Sequence, residues 1–185
     1  MFEEYIDGLS KCNLFNHIDK ENLLSLLRCL QPKFFSYNKN DYIITAGEKF
    51  NSVGIILKGR AIVCKDNAAG NRIIITILKP RDMFGEMVAF SRQHQWPSTV
   101  QAQEFCQVFF LAREKIIGEC KKMCPWHRTL IQNMLKIISE RALMLNKRVE
   151  YLSIKSMREK ISTYLLEQYK KAGNATFTLP LNRNE

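Results

Sequence analysis

The sequence predicts a mostly β domain, a closed antiparallel barrel or jelly roll, with helices before and after it along the chain. Leucines at helical spacing come first, five short β-branched or aromatic runs follow, and a long helical repeat comes last. Glycine, asparagine and proline separate the runs at regular intervals. Many short strands with regular turn signals are typical of antiparallel barrels and jelly rolls.

The first 30 residues are predicted to form short amphipathic helices. Asp19 can cap a helix, and leucines recur behind it at helical spacing, at positions 23, 26, 27 and 30. We expect these helices to lie as a lid on the β-rich domain.

Five runs in the middle of the chain are predicted to be strands, because they are rich in β-branched and aromatic residues. Their turn signals are Gly47, Gly59, the segment 67–70 and Pro80. The runs are 42–45, 53–57, 61–64, 73–78 and 106–111.

A long helix is predicted to begin at Pro125, a residue that suits the first turn, and to run to about Leu152. An apolar row along this helix repeats with alternating spacings of four and three residues, as in helices that pair with each other. We predict that this row is the interface of a two-fold homodimer. Its members are Ile131, Leu135, Ile138, Ala142, Leu145, Val149 and Leu152.

A second apolar row lies alongside the first and would pack on the chain's own barrel. It consists of Leu130, Met134, Ile137 and Met144. One wide core face made of both rows is the alternative interpretation, because ordinary buried helices also carry wide apolar stripes.

The residues after the long helix predict one more helix and then the beginning of a further domain. A helix is expected from Ser153 to Tyr169, followed by a terminating Gly173. Residues 175–181 alternate like a short strand, and residues 182–185 have the capping-box pattern that begins a helix. We expect a further helix to begin there, with most of its residues missing from this sequence.

Composition and charge narrow the class of protein. The 185 residues are 46% hydrophobic and 25% charged, which is ordinary for a globular chain with a sizeable core. Most of the net charge of +10 comes from the residues after Ala112, which include 15 Lys and Arg but only 7 Asp and Glu. This excess suits a nearby polyanion such as DNA, and solvated helix faces are the alternative. Without an apolar run of about 18 residues or a basic leader, we expect a cytoplasmic protein with no membrane partner.

Cysteine and histidine patterns predict no metal site. The six cysteines, at positions 12, 29, 64, 106, 120 and 124, form no CxxC pair, which favours reduced thiols. Cys120, Cys124 and His127 would share a helix face, but no fourth ligand is evident, and buried thiols explain the cysteines as well. His17, His94 and His127 fall outside the predicted strands, which argues against a metal centre inside the barrel. We therefore predict no catalytic residues and expect that the protein is not an enzyme.

The glycine and acidic residue at positions 85 and 86 form the most informative motif. At a turn that opens a short helix, backbone N–H groups can face an anion while the carboxylate accepts hydrogen bonds from sugar hydroxyls. A single Gly-Glu pair is weak evidence for a binding site. The evidence becomes strong because further motifs occur in a fixed order along the chain. These are Gly47-Glu48, Lys58 to Ala61, Asp82 to Glu86, Ser98 to Ala102, the long helix and Leu179 to Glu185.

This succession resembles the Crp/Fnr family of bacterial transcriptional regulators over nearly the whole chain. The resemblance implies a cyclic-nucleotide-binding-type double-stranded β-helix as the effector domain over residues 1–124. It also implies a dimerisation helix over 125–152 and the start of a DNA-binding domain over 153–185, with the winged helix-turn-helix head missing after Glu185. In that family, Gly85 and Glu86 would face the phosphate and ribose of the effector.

Two departures from the family pattern affect the predicted effector. Ser98 would contact the phosphate, but the arginine expected just before it is Pro97, which has no charge and no N–H donor. The long helix reads Ala142 to Leu145 where cyclic-AMP-responsive members offer hydroxyl groups to the base. Arg72 or Arg92 could reach the phosphate instead. We predict an effector other than cyclic AMP, with a small apolar or aromatic molecule favoured and a nucleotide as the alternative.

The predicted effector contacts are mainly apolar and aromatic, and side chains that merely fill the barrel are the alternative interpretation. They are Phe84, Gly85, Glu86, Met87, Trp96, Ser98, Thr99 and Met144. Effector binding would reposition the short helix near residues 84–90, press on the dimer helix and reorient heads bound to promoter DNA. A stand-alone cyclic-nucleotide-binding regulatory module is the alternative function.

Overall fold

The computed structural model describes residues 3–67, 70–118 and 125–179. The chain divides into two compact units, Met1–Ile138 and Ser139–Glu185. The first unit contains the amino-terminal helices, the β-rich domain and the beginning of the long helix. The second contains the rest of that helix and the helix that follows it.

Short helices begin the chain, as predicted. They are α1 (Ile6–Leu9) and α2 (Lys20–Leu30), with 3-10 turns at Glu3–Tyr5 and Asn13–Phe15. Asp19 caps α2, because its carboxylate accepts a hydrogen bond from the backbone N–H of Asn22 at 2.9 Å.

The β-rich domain is an antiparallel jelly roll of two four-stranded sheets. Its strands are β1 (Lys33–Tyr37), β2 (Tyr42–Ile44), β3 (Ser52–Lys58), β4 (Ala61–Asp66), β5 (Arg72–Leu78), β6 (Met83–Phe84), β7 (Thr99–Ala102) and β8 (Cys106–Ala112). The first sheet has the order β1-β8-β3-β6, and the second sheet has the order β2-β7-β4-β5. The predicted fold class is confirmed.

All five predicted strands are present, as β2, β3, β4, β5 and β8. The sequence pattern does not predict the other three. β6 is only two residues long. A serine interrupts the aromatic residues of β1, and a glutamine separates the two apolar residues of β7. These strands form because a sheet already supplies the neighbouring backbone groups.

The first sheet carries a hydrophobic core on each of its faces. On one face, Val53, Ile55 and Phe109 belong to the same buried cluster as the leucines of α2. The opposite face is the interior of the jelly roll, where Ile56 and Val108 meet the inner residues of the second sheet. Neighbouring residues of β3 therefore serve different cores, because successive side chains of a strand point to opposite faces. The amino-terminal helices cover the first sheet, as predicted.

Three more helices follow in the chain: α3 (Glu86–Ala89), α4 (Arg113–Ile117) and α5 (Pro125–Ser153). The predicted bounds of α5 are confirmed within one residue. Its first part is held in the first unit by Asn133, whose side-chain amide donates to the carbonyl oxygens of Leu14 at 3.0 Å and Asn16 at 2.7 Å. Along the described ranges, no helix combines the length and the apolar composition needed to cross a bilayer.

The second unit contains α6 (Met157–Ala172). The predicted start at Ser153 is wrong, because the helix begins after Ser156, whose side chain accepts from the N–H of Glu159 at 3.4 Å. Gly173 ends α6 in the left-handed conformation, as predicted. The strand predicted for 175–181 is absent from residues 175–179, where no partner strand pairs with the alternating pattern. The predicted capping box at 182–185 lies outside the described residues.

Candidate functional site

Gly85 holds the turn that opens α3, and only glycine fits there. Its φ angle is 92°, in the left-handed region that disfavours side chains. A Cβ atom would also lie 2.3 Å from Cε1 of Phe50 and 2.8 Å from the backbone oxygen of Ser52. The turn is therefore pressed against the start of β3, and the first residue of α3 is carried into the domain.

That first residue is Glu86, which is only 1% exposed. The next residue, Met87, is 61% exposed, so its side chain points away from the core. Among the described residues, the other buried polar side chains are Ser98, Thr99, Gln101 and His127. None of these is a lysine or arginine. An anion placed between the described sheets would therefore meet no fully buried lysine or arginine to compensate its desolvation, and Arg113, whose Nε atom is buried, lies in α4 outside the sheets.

An aromatic cluster lies in the jelly-roll interior beside Gly85. It consists of Phe50, Phe84, Trp96 and Phe110. Phe50 and Phe84 stack with ring centroids 6.3 Å apart, and Trp96 meets the Phe50 ring edge to face at 5.7 Å. Gly54 makes room for this packing, because a Cβ atom there would lie 2.2 Å from the Phe84 ring. This end of the interior is shaped by aromatic surfaces.

Backbone pairing fixes the segment that carries Trp96. The N–H of Trp96 donates to the carbonyl oxygen of Glu48 at 2.9 Å, and the N–H of Gly47 donates to the carbonyl oxygen of Trp96 at 2.8 Å. Trp96 is 6% exposed, whereas Pro97 is exposed. The Thr99 hydroxyl accepts from the N–H of Ala46 at 3.3 Å, which gives that side chain a structural partner.

Arg72, one of the two arginines considered for a phosphate, is engaged elsewhere. Its guanidinium donates to both carboxylate oxygens of Asp66, at 2.9 and 3.3 Å, and to the side-chain oxygen of Gln101 at 2.7 Å. The hydrogen bond with Asp66 raises the pKa of Arg72 and lowers the pKa of Asp66. Gln101 alternates with Val100 and Ala102, which are in the interior core, so Arg72 is held on the opposite face of the second sheet. Arg92 is exposed.

The structure brings most of the predicted effector contacts together. Phe84 and Trp96 are in contact, Gly85 and Glu86 follow Phe84 directly, and Ser98 is buried two residues after Trp96. Met144 belongs to the second unit and is exposed, and its contact with an effector stays a prediction. The roles of all eight residues as effector contacts remain predictions.

The sequence pattern does not identify Phe50, Phe110 and His94 as neighbours of this site. Phe50 follows the turn that begins at Gly47, and its N–H donates to the carbonyl oxygen of His94 at 2.8 Å. Phe110 reaches the interior through β8. The alternation within β8 is visible in the sequence and could have assigned Phe110 to the interior face.

Three of the described cysteines, Cys12, Cys64 and Cys106, are buried free thiols, as expected for reduced cysteines. Burial raises the pKa values of the Cys12, Cys64 and Cys106 thiols, which keeps them protonated and weakly reactive. The pair predicted to share a face with His127, Cys120 and Cys124, lies outside the described residues. His127 itself is buried, with Nε2 3.2 Å from the carbonyl oxygen of Lys115.

The two apolar rows of α5 have different surroundings. Leu130 and Met134 are buried in the core of the first unit, and Ile137 packs against it, as predicted for these members of the second row. Its last member, Met144, is exposed. Most of the row predicted to form the dimer interface is exposed in the single chain. Its exposed members are Ile131, Leu135, Ala142, Leu145, Val149 and Leu152. Ile138 is the exception and packs against the core.

Comparison with known proteins identifies the β-rich domain. A family model described as "Cyclic nucleotide-binding domain" matches residues 34–122. The cAMP-dependent protein kinase regulatory subunit of Dictyostelium discoideum is 25% identical over 137 residues, which are 72% of this chain and 39% of that protein. The chain thus spans about two fifths of that relative.

Two further proteins extend the comparison. The CRP-like cAMP-activated global transcriptional regulator of Mycobacterium tuberculosis is 20% identical over 165 residues, which are 89% of this chain and 70% of that protein. The crystal structure of a cyclic nucleotide-binding domain from Methylobacillus flagellatus KT superposes with a TM-score of 0.66 at 17% identity. That match covers 84% of this chain and 86% of the other. The chain therefore contains a cyclic nucleotide-binding domain of jelly-roll fold, similar to those of Crp-like regulators and protein kinase regulatory subunits.

Proposed function

We propose that this chain is the effector-sensing and dimerisation portion of a Crp/Fnr-type transcriptional regulator. Residues 1–124 sense a small molecule, residues 125–152 pair two copies, and residues 153–185 begin a DNA-binding domain. The homodimer presents two heads to promoter DNA, which suits an inverted repeat read by one helix per subunit. The protein regulates transcription in the cytoplasm and carries out no catalysis.

The exposed apolar row of α5 is the observation that carries this proposal. Leu135 is 66% exposed and Leu152 is 76% exposed, although both follow the two-per-heptad spacing of a helix that pairs. Exposed leucines at this spacing leave a continuous apolar surface in water, and a second copy of the same helix removes it from solvent.

Effector binding can influence α5 through the core of the first unit. Ala89, at the end of α3, belongs to the same buried cluster as Leu130 and Met134 of α5, and Phe90 packs against that cluster. Movement of α3 by an effector near Glu86 would therefore change the packing of α5. The effector shifts the equilibrium between two arrangements only by its difference in affinity for them.

Two observations argue against the phosphate of a cyclic nucleotide as the group that this site binds. Glu86 could accept hydrogen bonds from sugar hydroxyls, but Pro97 carries no charge and Arg72 is held by Asp66. We infer an effector other than cyclic AMP. The aromatic surfaces of Phe50, Phe84 and Trp96 favour a small apolar or aromatic molecule.

A fusion experiment tests the regulatory proposal. The chain is fused to a helix-turn-helix domain that binds its operator only as a dimer, and repression of a reporter is measured. The wild-type fusion should repress. Leu145→Asp should abolish repression by placing a charge in the paired row, whereas the matched Asn146→Asp should repress like the wild type. Equal repression by the two variants would contradict the proposal.

A stand-alone cyclic-nucleotide-binding regulatory module is the second candidate, favoured by the similarity to the Dictyostelium protein kinase regulatory subunit. Cyclic AMP discriminates between the candidates. The regulator proposed here should keep its melting temperature in millimolar cyclic AMP, because neither Pro97 nor the engaged Arg72 offers a cation to the phosphate. A rise of several degrees would favour the second candidate.

A further inference from the structure

The indole N–H of Trp96 is a buried donor with no hydrogen-bond acceptor in the described part of the chain. Trp96 is 6% exposed, and its Nε1 atom has no contact with solvent. Indole nitrogen only donates, so an oxygen acceptor is the group that would satisfy it. Buried tryptophans usually have such a partner.

His94 provides a second buried nitrogen, which donates or accepts a hydrogen bond according to the ring tautomer. Its Nδ1 atom is buried and makes no hydrogen bond with another described residue. His94 and Trp96 flank Gln95, which forms a β-bridge with Lys49, so the segment is extended. Alternate residues of an extended segment point to the same side, which places both side chains on one face.

The charge of the surroundings selects the kind of acceptor. The fully buried polar side chains among the described residues include the carboxylate of Glu86 and no lysine or arginine. Arg113, whose Nε atom is buried, begins α4 after the end of β8 and belongs to neither sheet. A carboxylate or phosphate on a ligand would be desolvated between the described sheets without a fully buried lysine or arginine, whereas a neutral carbonyl oxygen would not carry that penalty. The rings of Phe50 and Phe84 around Trp96 match an aromatic body.

We propose that the jelly-roll interior binds an uncharged aromatic molecule whose carbonyl oxygen accepts a hydrogen bond from Nε1 of Trp96. His94 lies on the same side and supplies the second polar contact. This inference rests on the proposed function only in taking the interior as the effector site. It assigns a ligand class that differs from a cyclic nucleotide in lacking a negative charge.

Three matched probes test this ligand class by NMR of the ¹⁵N-labelled chain. Acetophenone has the neutral carbonyl, ethylbenzene has the same shape without an acceptor, and benzoate has a charged one. The indole N–H resonance of Trp96 is observed in each titration. Trp126, which packs against the other core, supplies the internal control, and Trp126→Phe assigns the two resonances.

Acetophenone should shift the Trp96 resonance downfield and saturably, without moving that of Trp126. Benzoate should bind about tenfold more weakly or worse. Trp96→Phe, followed through the backbone amide resonances of the labelled chain, should weaken acetophenone binding by about tenfold. The proposal is overturned if acetophenone leaves the Trp96 resonance unmoved, as it would if a buried water or a phenylalanine face accepted the N–H. Benzoate binding as tightly as acetophenone would also overturn it. Neither result depends on dimerisation or DNA binding, so the proposed function is tested separately.

Discussion

The two apolar rows of α5 have similar side chains but opposite surroundings. Leu130 and Met134 are buried by their own chain, whereas Leu135 and Leu145, on the neighbouring row, are exposed. The difference lies in what covers each row, since both rows recur at helical spacing. The buried row stabilises the folded monomer, and the exposed row is available for association. Apolar periodicity alone therefore does not distinguish a core from an interface.

Truncation of the buried row should have the largest effect on stability. Leu130→Ala should lower the free energy of unfolding by about 2–5 kcal/mol, because it leaves a cavity at a fully buried position. Chemical denaturation measures this loss, which should not depend on protein concentration. Leu135→Ala is the matched control and should matter only at concentrations where dimers form. The proposed difference between the rows would be contradicted if Leu135→Ala lowered the free energy of unfolding by a similar amount at every protein concentration.

Gly85 and Gly47 allow a similar comparison between a position packed against other residues and a position with free space around it. Gly85→Ala should destabilise the chain by about 2–4 kcal/mol, since it combines backbone strain with a clash against Phe50. Gly47→Ala is the control, because Gly47 has a similar φ of 89° but no atom within 4 Å of its would-be Cβ. It should lose only about 1–2 kcal/mol. Equal losses in thermal or urea unfolding would show that the close approach at Gly85 is unimportant.

Helix periodicity and turn residues in the sequence predict much of this fold. The bounds of α5, the cap at Asp19 and the glycine that ends α6 follow from local rules. Strands β1, β6 and β7 escape the sequence pattern because pairing with neighbours determines them. The strand expected at 175–181 is absent from its described part, residues 175–179, for the same reason, since its alternation finds no partner in the described residues.

The site is predicted less completely than the fold. Gly85, Glu86 and Trp96 are predicted as effector contacts from one stretch of sequence, where the turn and the aromatic residues are close together, and their role stays a prediction. Phe50 and His94 are missed because they meet through pairing of distant backbone segments. The engagement of Arg72 by Asp66 is also a property of the β4-β5 hairpin that charge patterning does not show. Contacts between residues that are distant in the sequence are therefore the part of the site that the sequence alone does not predict.

The sedimentation velocity of the purified chain tests the central claim, that the exposed row of α5 joins two copies. The wild type and Asn146→Asp should sediment as dimers at micromolar concentration. Leu145→Asp should sediment as a folded monomer, with a monomer stability within about 0.5 kcal/mol of the wild type, because position 145 is exposed in the single chain. A wild-type monomer, or a Leu145→Asp variant that remains dimeric, would contradict the account.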